Sequence, residues 1–157
     1  MKTFRVALLI GLAAATVSLA CADDNEAIKK DLAALQGQWA MVSGSADGQP
    51  MPNEMVPQMK RICKGDELSV TMAGQVFMKA KITLDPSKKP KTIDYKMIGG
   101  FTEGKTQLGI YEVEGDTLKS CFGKPGAERP TDFKPGEGLT LSIWKREKPA
   151  TPAAEQK

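Results

Sequence analysis

The residues that could do chemistry in this chain are few, and the commonest catalytic type is missing. There is no histidine. That removes His-based general acid–base catalysis, Ser/His/Asp and Cys/His nucleophilic arrangements, and histidine-ligated zinc or haem. The acids do not compensate. Glu112, Glu114 and Asp116 gather at a hairpin signal, and Asp94 sits between Ile93 and Tyr95 on what reads as an outer face. No two carboxylates are spaced to share a buried site and separate their pKa values. The glycines mark turns, and none forms a phosphate loop leading into a helix. The expectation is a protein that is not an enzyme and carries no cofactor.

Sulfur is the more unusual feature. Met51, Met55 and Met59 are spaced by four, with Cys63 four further on. Thioethers are soft ligands suited to Cu(I). Pro52 and Pro57, however, interrupt any helix that would align them. The plainer reading is flexible apolar packing, a lid over a cavity mouth, and no metal is expected. Cys63 and Cys121 form a candidate disulfide, which would stabilise by about 4 kcal/mol in the chain-entropy model. Alternation complicates it: Leu118, Ser120 and Phe122 share one strand face, and Thr117, Lys119 and Cys121 the other. If Leu118 and Phe122 point inward, a bridge must bring Cys63 over the outer surface. The pairing stays open.

The elements that must position these residues follow an export signal. Lys2 and Arg5 precede an apolar run from Val6 to Leu19, and Ala20-Cys21-Ala22 supplies a small-x-small cleavage pattern. The run is too short, and Asp23-Asp24 follow too soon, for a membrane span. Cleavage after Ala22 is preferred; the rival is lipoprotein processing with a lipid anchor on Cys21. The preference rests on Ser18, which stands where that pathway favours leucine. Either route implies an extracytoplasmic location, periplasmic or secreted. Losing residues 1–22 takes two of the 22 basic residues and none of the 19 acids. The near-neutral remainder argues against nucleic acid, whose phosphates need a basic stripe. Lys88-Lys89-Pro90-Lys91 reads as a solvated turn.

Ile28, Leu32 and Leu35 then predict a helix over 25–35, with Asp24 or Asn25 as its cap. Beyond it the period becomes two. Strands are expected over 39–43, 68–72, 76–84, 93–97, 108–113, 117–122, 131–133 and 139–143, with Glu114-Gly115-Asp116 as a tight hairpin. Eight short strands in meander order suggest an all-β antiparallel barrel, since closure removes exposed edges. A two-sheet sandwich is the runner-up on pattern alone.

Two stretches carry a resemblance. The run LDPSKKPKTIDY from Leu84 and the run LGIYEVEGDTLKSCFGKPGAERPTDF ending at Phe133 accompany Gly37-Gln38-Trp39 at the first strand. Together they resemble the small secreted lipocalin-like domain found in planctomycetes and related bacteria. The family has no assigned activity, so the resemblance implies a fold and a compartment and no site. It implies that Gly37 and Trp39 close the barrel floor, with Lys145 or, as preferred here, Arg146 packed over the Trp ring. The organisation expected is a signal peptide over 1–22, a helical lead-in over 23–34, a lipocalin-like barrel over 35–147 and a disordered tail over 148–157.

An eight-stranded barrel either fills itself with side chains or holds one small ligand. The residues expected to line it as a binding site are Met72, Met78, Ile82, Tyr95, Met97, Leu108 and Ile110, with Val76, Leu141 and Ile143 also facing inward. That lining suits a small hydrophobic or amphipathic molecule. The alternative is a filled barrel that serves as a structural or protein-interaction module of the envelope. The same apolar list serves both.

Overall fold

A computed structural model describes residues 20–148, and side chains from residue 24 onward. The expected leader lies outside these residues apart from its last three, and so does all but the first residue of the expected tail. Nine strands follow one helix: α1 (Ala20–Leu35), β1 (Gly37–Ala46), β2 (Gln49–Pro50), β3 (Met59–Lys64), β4 (Glu67–Met72), β5 (Gln75–Asp85), β6 (Lys91–Gly100), β7 (Thr106–Glu114), β8 (Thr117–Gly123) and β9 (Leu139–Arg146). A single 3-10 turn, Val56–Gln58, leads into β3. Each long strand pairs antiparallel with its neighbour in sequence, and β1 pairs with β9 from Trp39↔Arg146 to Ala46↔Thr140. The sheet is thereby closed into an eight-stranded barrel, with β2 a two-residue appendage on β1. This is the all-β barrel expected. Among the described residues no helix is long and apolar enough to cross a membrane.

The helix starts earlier than its capping signal suggests. Asp24 and Asn25 lie inside α1 and do not cap it, because helix extends back through Ala20. Its far end seals the barrel. Leu35 is fully buried, and Gly37 ends the helix with φ +98°, a left-handed conformation that a β-carbon would strain. Trp39 then turns under the helix, its Nε1 donating to the Leu35 carbonyl at 3.0 Å.

One expected strand is absent and one unexpected strand is present. Residues 131–133 form bends within a loop, not a strand. In compensation, β3 arises where no strand was expected. Its alternation is disguised: Met59, Arg61 and Cys63 are buried, while Ile62 on the opposite face is exposed.

Cys63 and Cys121 are both free thiols, which corrects the candidate disulfide. Cys63 belongs to the inner row of β3, at the end carrying the Gly65 turn. Cys121 pairs with Ile110 and Leu141 on the outward row of β8. The barrel wall stands between them.

Candidate functional site

At the end of the barrel opposite α1 a cavity of about 370 Å³ opens to solvent. Six of the eight methionines line it: Met41, Met51, Met55, Met59, Met72 and Met78. The spaced methionines thus do come together, though not on a helix. Met51 and Met55 reach the mouth from the β2–β3 connection, and Met59 enters from the first position of β3. A β-carbon at Gly44 would meet Met51 Sδ at 2.7 Å and Met41 Sδ at 3.1 Å. Absence of a side chain there therefore makes room for two thioethers. Aromatic rings complete the wall. Tyr95 and Phe122 stack with centroids 4.1 Å apart, and Phe77 meets Phe101 edge-on at 6.1 Å across the rim.

The expected lining is placed in three ways. Met72, Met78 and Tyr95 line the cavity. Ile82 and Met97 point inward but are consumed by the packed core. Leu108 and Ile110 face outward, as do Leu141 and Ile143, and Val76 is 53% exposed on the outer surface. All five are corrections: the β4–β5 register shifts between Val70 and Thr71, which pairs Val76 with Thr71 on the outer row, and the other four share one cause. In the mouth-side half of β7 and β9 the inner row is the less apolar one, Gln107 and Gly109, then Thr140 and Ser142, with Tyr111, Val113 and Trp144 entering the core further down. The apolar outer row of β7 is covered instead by the loop after β8. Arg129 anchors that loop, pairing with Asp94 at 2.6 Å and donating to the Gly109 carbonyl at 2.6 Å. Ile110 and Cys121 end up buried outside the barrel. Gly109 is required on the inner row because a β-carbon there would lie 2.4 Å from the Phe122 ring.

Polar groups inside are mostly matched. Ser120 and Ser142 share a hydrogen bond at 3.0 Å, and Trp144 Nε1 donates to Ser142 Oγ at 2.9 Å. Arg61 is the exception. Its side chain is 1% exposed, it lines the cavity, and Nη1 donates to Tyr95 Oη at 2.8 Å. Its Nε and Nη2 find no acceptor among the described residues, and no carboxylate there pairs with it. Sequence reading passed over Arg61 entirely. The available signal was its place between Met59 and Cys63 in a period-two row.

The residues expected to close the barrel lie at the opposite end. Arg146 stacks over Trp39 with its guanidinium carbon 4.1 Å from the ring centroid, and donates to the carbonyls of Ala34 at 2.7 Å and Gln36 at 2.5 Å. Nearby, Asp31 accepts from Tyr111 Oη and Lys91 Nζ, both at 2.7 Å. Burial pushes the Tyr111 phenol far up, and the hydrogen bond to Asp31 pushes it the same way. Burial raises Tyr95 as well, against the opposing pull of Arg61. Both cysteines are raised by burial. A buried, protonated thiol is a poor nucleophile.

What the arrangement can do, then, is bind: an apolar, adaptable wall with one concentrated polar point. No family model, no curated protein and no solved structure matches this chain.

Proposed function

We propose that this chain is an extracytoplasmic lipocalin-like binding protein, not an enzyme, that takes one small hydrophobic or amphipathic molecule into the mouth of its barrel. The observation that carries the reading is the methionine- and aromatic-lined cavity of about 370 Å³. Its volume is in the range of small-ligand sites, which are mostly apolar with few polar groups. Thioether side chains adapt to varied shapes, so the wall favours a flexible apolar body over a rigid polar one. The fold supports binding without specifying a ligand. The compartment rests on the Lys2-to-Ala22 leader pattern and on the family resemblance.

A neutral fluorescent probe small enough for the cavity, 1-aminonaphthalene, tests this. Saturable enhancement at one probe per chain is expected, and Met72→Trp, which fills the cavity, should reduce it. A folded, monodisperse barrel that gives no enhancement would overturn the reading in favour of the filled-barrel interaction module. Intact mass of protein from its producing cells would separate a chain beginning at Asp23 from one lipidated at Cys21.

A further inference from the structure

Arg61 is a permanent cation in a place that supplies it no counter-charge. A guanidinium cannot shed its proton at any ordinary pH. Burial of a charge is tolerated when it is paired and hydrogen-bonded. Here one nitrogen of the head is used, by Tyr95, and the two left over are Nε and Nη2. Those two are not an arbitrary remainder. Their N–H bonds lie parallel along one edge of the guanidinium plane, the edge that accepts both oxygens of a carboxylate at once.

From this we infer that the cavity's ligand is a monoanionic amphiphile, a medium-chain carboxylic acid. Its carboxylate seats on the Nε/Nη2 edge of Arg61, which is closed to solvent in the ligand-free barrel and which the adaptable thioether wall must yield to expose, and its chain runs toward the methionines at the mouth. The inference rests on the binding reading above and deepens it. Three observations favour this class. Among the described residues Arg61 is the only charged one lining the cavity, so a single negative charge is balanced and a phosphate dianion is not. The rest of the polar lining among the described residues is neutral, Thr102, Gln107, Ser120, Thr140 and Ser142, so no second charge competes for the head group. And about 370 Å³, at roughly 30 Å³ per water-sized group, encloses a ligand of roughly a dozen heavy atoms. The same charge argues against a Cu(I) site among the methionines, because the cation would enter beside an unneutralised guanidinium.

Calorimetric titration of the full-length protein with decanoate and with decanol, matched in chain length, tests the inference. Wild-type protein is expected to prefer decanoate, and Arg61→Met to lower the decanoate-to-decanol affinity ratio by about ten- to a hundredfold, the range for a hydrogen bond to a charged group. Decanoate affinity should also fall as pH drops through the carboxylate range, with decanol unmoved; this arm needs no variant and decides the matter if Arg61→Met does not fold. Wild-type protein that binds decanol as tightly as decanoate overturns the carboxylate assignment and leaves the cavity reading standing. An unchanged ratio in Arg61→Met does the same. Binding of neither ligand overturns both.

Discussion

The two ends of this barrel each hold a buried or half-buried arginine against an aromatic ring, and they use it oppositely. At the floor, Arg146 lies over Trp39 with its donors committed: Nη2 to the Ala34 carbonyl in the last turn of α1, Nη1 to the Gln36 carbonyl just beyond it, and Nε to Asp116 at 3.1 Å. Toward the mouth, Arg61 lies 5.9 Å from the Tyr95 ring centroid with only Nη1 committed. A matched arginine is a clamp. On the binding proposal an unmatched one is a recognition element, because its remaining donors have no acceptor among the described residues. The surroundings differ in the same sense. The floor packs Leu35, Trp39 and Leu118 with no exposure, whereas the mouth is built of thioethers and ends in Phe101, 91% exposed.

Truncating the floor should have the largest effect on stability. Trp39→Ala removes a fully buried ring and strands the Leu35 carbonyl, and should cost about 3–5 kcal/mol in urea unfolding. A loss below about 1 kcal/mol would break the contrast, since the floor would then be no tighter than the mouth.

The two arginines give the sharper test, by sign. Arg146→Met should destabilise by about 2 kcal/mol, from the lost stacking on Trp39 and the uncapped carbonyls. Arg61→Met should leave the ligand-free protein equally or more stable, by up to about 2 kcal/mol, because it removes a desolvated charge that lacks a partner. Equal losses in the two melts would mean that Arg61, too, is a structural clamp.

Alkaline pH probes both ends together. Tyr95 and Tyr111 are raised above their ordinary value of 10.0, and Cys63 and Cys121 above 9.0, each by burial first. The unfolded chain releases these protons at the ordinary values while the folded chain keeps them. Stability is therefore full below about pH 9 and is lost as pH rises toward the folded values, by up to about 1.4 kcal/mol per pH unit for each tyrosine above 10. Unfolding free energies at pH 7 and pH 10.5 check the direction. Tyr111→Phe should flatten the slope.

The smallest effect belongs to the rim. Phe101→Ser removes a ring that touches Phe77 and otherwise faces solvent, and should change stability by less than about 0.5 kcal/mol. Its expected consequence is faster release of the cavity probe, measured by stopped-flow.

Much of the frame was legible in the residues. Period-two rows on β4, β5, β6 and β8 predicted strands within a few residues of their bounds, and Gly115-Asp116 marked a hairpin that does form. Failures occurred where burial and apolarity part company. On β7 and β9 the rule that apolar residues face the core placed Leu108, Ile110, Leu141 and Ile143 inside. It failed because a loop tied down by Arg129 gives the outer wall a second buried layer, and because paired serines can occupy the inner one. On β3 the inward cation and outward Ile62 concealed a strand altogether.

By itself, then, the sequence determined the class: alternation and turn residues suffice for an all-β antiparallel chain, because period and turn chemistry are local properties of the chain, while barrel over sandwich rested on the resemblance until the β1–β9 pairing closed the sheet. The absence of histidine likewise removed whole chemistries without any structure. Which face of β7 and β9 looks inward, whether two cysteines meet, and whether an arginine's donors are matched were decided only by the tertiary structure. Those are questions of what lies across the barrel or over its wall, and the partners, Tyr95 for Arg61 and the Gly109 carbonyl for Arg129, stand 34 and 20 residues away in sequence.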